Sequence, residues 1–396
     1  YVGVETHANV VAGLLDGSFP YRPDNAALVE TAGLVILALL TALVVPGLSP
    51  PAGLALAVVL GGLAIGAGFV AWLRAGIVIP VGGFALYVAI AALLQLTYGY
   101  FAETRRKRRL SRLFSQYVPP EVVSDLDAGE AEVSLEGETR EMSVLFSDVR
   151  GFTTISEGLS ARELTQLMNE FLTPITAVIQ EHRGTIDKYM GDAVMAFWGA
   201  PLANARHAAD ALRASLAMNA VLPALRDEFV ARGWPALSIG AGINSGTMNV
   251  GDMGSQFRKA YTVLGDAVNL ASRLEGLTKV YGVPILIGED TRIAAPEIVC
   301  REIDRVRVKG REAPVAIYQP LGETLTPAER DELDRYHSAL ALYRERKFDH
   351  ACAAFKALAA DRPELALYAI YAQRAAEFAA VAPPPDWDGA TTFETK

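Results

Sequence analysis

Three short stretches of this sequence hold carboxylates, a lysine and an arginine at spacings suited to chemistry on a charged substrate. In "SVLFSDVRGFTTIS" a strand-like run ends at Asp148 and passes through Gly151 into a helix-like run. A carboxylate followed at once by the open N–H groups of a helix start can hold a divalent cation and a polyphosphate side by side. In "IDKYMGDAVMAFWGA", residues 186–200, two strand-forming arms flank a Gly-Asp pair, which puts Lys188 and Asp192 on a tight hairpin. A surface ion pair across the turn would account for both charges, since such pairs are common and contribute about 0–1 kcal/mol. If the hairpin lies beside the first strand, Asp192 instead supplies the second carboxylate of a site for Mg²⁺, an ion that takes few protein ligands. The third stretch, "AYTVLGDAVNLASRLE", reads as a helix with Asp266 at its N-cap and with Asn269 and Arg273 one turn apart on one face. That face is either structural or a clamp for negative charge developing at phosphorus, for which a guanidinium fork is well shaped.

The elements that must position these residues follow from hydrophobic periodicity. "REMSVLFSD" alternates as a strand, and "ARELTQLMNEFLTPITAVIQEH" carries Leu164, Leu167, Met168, Phe171, Leu172 and Ile175 at helical spacing. The hairpin comes next, then a helix over about 203–231 and the strand "LSIGAGINSG". The helix "DAVNLASRLEGLTKVYG" precedes the strands "VPILIG", "VCREIDRVRVKG" and "PVAIYQP". Strands separated by single helices predict a layered α/β or α+β domain with helices covering a sheet.

With these motifs in this order, residues 139–320 resemble the catalytic domain of class III nucleotidyl cyclases. The resemblance implies an α+β, ferredoxin-like βαββαβ core acting as a head-to-tail homodimer, with ATP or GTP bound at the interface. It implies that Asp148 and Asp192, joined by the Val149 carbonyl, hold two divalent cations, Mg²⁺ or Mn²⁺. Gly151, Phe152 and Thr153 of the turn "VRGFT" would cradle the triphosphate, and Lys309 would contact the terminal phosphates. Lys188 and Thr262 fall at the two positions that read the purine, and Asn269 and Arg273 match the pair that meets the transition state. Arg258, in "SQFRKAY", is a further phosphate-contact candidate whose alignment is ambiguous. In such a dimer the metal site comes from one protomer and the purine and transition-state residues from the other. Lys188 and Asp192 would then serve different sites, and a two-fold interface would present the same hairpin twice.

The base follows from donor and acceptor chemistry. Adenine offers an acceptor at N1 and a donor at N6, and guanine the reverse. Lys188 is a donor only and suits adenine N1, while the Thr262 hydroxyl can accept from the 6-amine. Guanylyl cyclases of this family usually carry an acidic residue at the lysine position. The implied reaction is attack of the ribose 3′ oxygen of ATP on the α-phosphorus, giving cyclic AMP and pyrophosphate. The alternatives are a guanylyl cyclase and a catalytically silent module that binds nucleotide or dimerises.

The rest of the chain places this domain. Of 396 residues 51% are hydrophobic, and the formal charge of -9 argues against a nucleic-acid partner. The apolar excess is concentrated in three runs within 27–101, each near the roughly 20 residues that cross a bilayer as a helix. The block Arg105, Arg106, Lys107, Arg108 and Arg109 follows the third run and puts everything after it in the cytoplasm, with residues 1–26 outside. Cys300 and Cys352 then lie on the reducing side and are not expected to pair. Residues 1–26 resemble the end of a CHASE-type extracytoplasmic sensor, which leaves the external signal unidentified. Residues 102–138 read as a helical connector broken at Pro119 and Pro120, and residues 321–396 as a helical hairpin of tetratricopeptide type with Trp387 tucked down.

Overall fold

The computed structural model describes residues 3–17, 19–44, 48, 50–95, 97, 137–255, 257–308 and 313–393. The basic block and nearly all of the connector lie outside these residues. The chain divides into two compact units, Tyr1–Leu110 and Ser111–Lys396.

The first unit contains helices α1 (Gly3–Asp16), α2 (Ala26–Val44), α3 (Pro50–Ala75) and α4 (Gly82–Gln95). Among the described residues, α2 and α3 are long and apolar enough to cross a membrane, and α4, within the third apolar run, is shorter. Small residues set the packing here. A Cβ at Gly61 would overlap Val88, and one at Gly68 would press on Val81. Glu30 rests its carboxylate against Gly83, and the Thr41 and Tyr87 hydroxyls hydrogen-bond. Leu28, Leu39, Leu43, Leu63, Phe69 and Leu73 remain exposed around α2 and α3, which have no polar face.

The second unit is built on a nine-stranded sheet. Its elements in order are β1 (Glu138–Val149), α5 (Phe152–Glu157), α6 (Ala161–Glu181), β2 (Thr185–Met190), β3 (Ala193–Trp198) and α7 (His207–Ala231). There follow β4 (Ile239–Gly254), β5 (Lys259–Leu264), α8 (Asp266–Tyr281), β6 (Ile285–Gly288), α9 (Glu289–Ala294), β7 (Val299–Val308) and β8 (Val315–Gly322). The chain then continues with α10 (Pro327–Arg344), α11 (Phe348–Asp361), α12 (Ala366–Ala380) and β9 (Thr391–Phe393). The sheet order is β2-β3-β1-β4-β6-β8-β7-β9, with β5 paired to β4. Pairing is antiparallel except for β4 with β6 and β7 with β9.

Helices α6 and α7 bury Leu167, Phe171, Ile175, Ala211, Leu212 and Met218 against Leu145, Val149, Ile239 and Ile243 of the central strands. A capping box between Ser160 and Glu163 starts α6. A second core contains Leu270, Leu274 and Tyr281 of α8, together with Leu286, Ile303 and Ile317 of the sheet. Residues 285–287 are all buried, with Ile285 and Ile287 in the first core and Leu286 in the second, as strand alternation requires of a sheet covered on both faces.

The C-terminal segment corrects the expected hairpin: it folds as three helices followed by a strand. Tyr336, Phe355, Tyr368 and Tyr371 complete the second core rather than forming a core of their own. Arg301 of β7 donates to Glu332 of α10 at 2.8 Å with both side chains buried. Asp304 accepts from the Tyr281 hydroxyl at 2.6 Å and from Arg374 Nη1 and Thr391 Oγ1 at 2.8 Å each. Trp387 packs edge-on to Tyr343, Phe348 and Phe378.

Candidate active site

Asp148 stands next to last on β1, where its pairing with Gly240 of β4 fixes the strand end. The hairpin of β2 and β3 turns through Gly191, whose φ of 71° is the left-handed conformation that glycine adopts without a steric cost. β3 pairs directly with β1, with Ser147 opposite Val194, so Asp192 arrives beside Asp148. The Asp148 carboxyl hydrogen-bonds that of Asp192. Burial, followed by this hydrogen bond and the Asp192 and Glu275 charges, pushes the Asp148 pKa up to about 7. Two carboxyls that compete for a proton form a hard oxygen donor set, and a divalent cation fits it by replacing that proton.

Two residues not singled out from the sequence complete this cluster. Glu275 of α8 is held above the ordinary carboxylate range by burial; the Arg150 guanidinium draws it back down and the Asp192 charge raises it. Arg150 donates from Nη2 to the Val283 carbonyl at 3.0 Å, and burial lowers its pKa against the raising charges of Glu275 and Asp148. What brings α8 this close is Gly242 of β4: a Cβ there would overlap the Glu275 backbone nitrogen and the Ala271 carbonyl.

After Asp148 the chain turns through Gly151, in the left-handed conformation at φ 67°, and enters α5. Gly151 and Thr153 are exposed, whereas Phe152 packs partly buried against the first core. The first-turn N–H groups of such a helix have no intrahelical acceptors.

The structure brings Lys188 and Thr262 together across β2 and β5. Lys188 Nζ lies 3.5 Å from Thr262 Oγ1 and 3.2 Å from Oδ1 of Asp187, a buried residue also missed from the sequence. The Thr262 hydroxyl donates to Asp187 Oδ2. Asn269 and Arg273 lie on the open side of α8 while Leu270 and Leu274 face inward. Among the described residues Arg273 forms no ion pair. The N-cap of α8 is Gly265 and not Asp266, which is the first helical residue. Arg258 is exposed at the tip of the β4–β5 hairpin, and Lys309 lies outside the described residues.

Residues 136–320 match the family described as adenylate and guanylate cyclase catalytic domain. The chain contains a class III nucleotidyl cyclase catalytic domain. Its relatives include adenylate cyclase 1 of Rhizobium meliloti, 36% identical over 53% of this chain and 32% of that protein. An adenylate cyclase of Anabaena cylindrica is 36% identical over 58% of this chain and 46% of that one. The chain thus spans less than half the length of either relative. Among solved structures, the adenylyl cyclase CyaB of P. aeruginosa is 39% identical over 48% of this chain and 98% of that chain, with a TM-score of 0.46. Within the cyclase domain, the acid pair lies where β1 meets the β2–β3 turn, the lysine and threonine where β2 approaches β5, and the asparagine and arginine on α8.

Proposed function

We propose that this protein is a membrane-bound adenylyl cyclase that converts ATP to 3′,5′-cyclic AMP and pyrophosphate in signal transduction. The observation that carries this reading is the pairing of Lys188 with Thr262, a donor and an acceptor matched to adenine N1 and N6. It stands in one domain with the convergent Asp148 and Asp192. The ribose 3′ oxygen attacks the α-phosphorus, the bond from phosphorus to the bridging oxygen breaks, pyrophosphate leaves, and the 3′ proton passes to solvent.

In this reading Asp148, Asp192 and the Val149 carbonyl hold two divalent cations, which supply Lewis acidity toward the 3′ hydroxyl and the phosphates. Lys188 and Thr262 orient the purine, Asn269 the ribose, and Arg273 meets the charge growing on the α-phosphate. Gly151, Phe152 and Thr153 offer backbone N–H groups to the triphosphate, Lys309 contacts its terminal phosphates, and Arg258 is a further candidate for a phosphate contact. The sites are shared across a homodimer of ferredoxin-like βαββαβ cores, one protomer giving the carboxylates and its partner the purine and α8 residues. Helices α2 and α3, with the third apolar run, anchor the chain in the plasma membrane and leave the cyclase domain in the cytoplasm. Residues 1–26 are the end of a CHASE-type sensor.

The test is cyclic nucleotide production by the full chain in membranes with Mn²⁺ and either ATP or GTP. Cyclic AMP as the main product, lost in Asp148→Asn, supports the reading. A preference for GTP would replace it with guanylyl cyclase activity. A dimer that binds ATP but forms no cyclic product would leave only nucleotide binding.

A further inference from the structure

β2 does not run evenly beside β3. Ile186 pairs with Ala196 and Lys188 with Met195, so Asp187 is the extra residue of a β-bulge. An unbroken strand would point Asp187 away from the face that carries Ile186 and Lys188. With the bulge Thr185, Ile186 and Asp187 are all buried, and the Asp187 side chain turns toward β5. Bulges re-aim side chains in this way beside functional sites.

Asp187 is 3% exposed, with its side chain fully covered. Its Oδ2 accepts a hydrogen bond from the Thr262 hydroxyl, and its Oδ1 accepts no well-aligned hydrogen bond but lies 3.2 Å from the Lys188 ammonium. A hydroxyl has one proton and two lone pairs. A threonine free to rotate can accept from an adenine 6-amine or donate to a guanine 6-oxygen, and so distinguishes them poorly. Once its proton is committed to a buried carboxylate, it can only accept.

We propose that Asp187 is a specificity-determining positioning residue that makes Thr262 an obligate hydrogen-bond acceptor and so sets the preference for a 6-amino over a 6-oxo purine nucleotide. This rests on the reading that Lys188 and Thr262 face the purine. Asp187 touches neither substrate nor metal in this account, and acts only through the direction of one hydroxyl and the placement of one ammonium.

The isosteric change Asp187→Asn tests it sharply. The amide oxygen must face the Lys188 ammonium, which turns the amide N–H₂ toward Thr262. Thr262 then accepts from Asn and is free to donate to the purine. The full chain should show the ratio of kcat/KM for ATP to that for GTP falling about tenfold, the worth of one directional hydrogen bond of about 1.4 kcal/mol. Thr262→Val should lower the ratio as well, and adding Asp187→Asn to it should change nothing further. Competition of ATP and GTP against a fluorescent ATP analogue reads the same ratio if turnover is lost, and Asp187→Ala, which frees the hydroxyl, should give a smaller fall. An unchanged ratio in Asp187→Asn beside a lowered one in Thr262→Val would overturn the proposal and leave the purine reading standing. An unchanged ratio in Thr262→Val would overturn both. Failure of both Asp187 variants to fold would assign the residue to structure alone and overturn the proposal too.

Discussion

Asp148 at the end of β1 and Asp192 in the β2–β3 turn stand close enough for their carboxyls to share a proton, which holds the Asp148 carboxyl up at about 7 together with its burial. If this pair holds a cation as proposed, release of that proton must accompany binding. Because the Asp148 pKa is raised to about 7, its protonation stabilises the metal-free fold fully below about pH 4, and this contribution is lost as pH rises through about 7. Apparent Mn²⁺ affinity should rise over the same range. Calorimetry in two buffers of different ionisation enthalpy should find close to one proton released per site near pH 6 and little near pH 8.5. Asp192→Asn should narrow that pH dependence without abolishing it, because burial and the Glu275 charge still hold the Asp148 carboxyl up.

If the sites are shared between protomers, Asp192→Ala and Lys188→Glu remove different halves of the same site. Each variant alone should lose at least about a hundredfold in cyclic AMP formation, in line with removing a directly acting electrostatic group. Mixing them at equal concentration should restore up to about one quarter of wild-type activity, because half of randomly formed dimers are mixed and each keeps one intact site. A mixture no more active than its components would mean that each protomer carries its own site.

Gly242→Ala should destabilise the cyclase domain by about 1–3 kcal/mol, the range for forcing atoms into a packed core. The added methyl meets the α8 backbone at Ala271 and Glu275 rather than a movable side-chain end. A shifted denaturation midpoint with an unchanged slope would show this, together with lost activity as Asn269 and Arg273 move with the helix. Gly276→Ala, on the same helix with open space around the site, should be neutral or slightly stabilising.

Glu332→Ala should cost about 3–5 kcal/mol, as expected when one partner of a buried ion pair is removed and the other left uncompensated. Arg301 is 5% exposed, and Glu332 also accepts from Arg362 at 2.6 Å and from the Tyr368 hydroxyl. Thermal unfolding should show the loss in the cyclase domain itself, since both belong to one packed core. Two separate transitions, with the catalytic one unmoved, would argue that the C-terminal helices fold apart from it.

Much of the candidate site was legible because its residues lie at strand ends and turns, which local patterning locates well. Asp148 before Gly151, Asp192 after Gly191 and the one-turn spacing of Asn269 and Arg273 are all local features. Asp187 was not legible: strict alternation counted back from Lys188 assigns it to the other face, and only the pairing with β3 reveals the bulge. Its signal was a carboxylate between Ile186 and Lys188 in an otherwise apolar arm. Glu275 feels the charges of Arg150 and Asp192, far off in sequence, through the fold, which helical periodicity does not encode. The third C-terminal helix was absorbed into an expected pair because the break at residues 362–365 is short. The α8 N-cap fell to Gly265, whose φ of 157° is a conformation that residues with side chains rarely adopt, rather than to the more usual aspartate.

Tyr281 ends α8, and its hydroxyl is bound to Asp304, which also holds Arg374 and Thr391 from the C-terminal segment. The far end of the helix is therefore moored in the C-terminal helices, and its other end carries Asn269, placed at the ribose in the proposed reading. At 1.5 Å per residue the arm from Tyr281 to Asn269 is about 18 Å long. A tilt of about 3° at the mooring swings the tip by about 1 Å, a misplacement able to cost a catalytic site roughly a hundredfold in rate. If Asn269 serves the site as proposed, a small strain in the C-terminal helices would be read at α8 as a change in alignment.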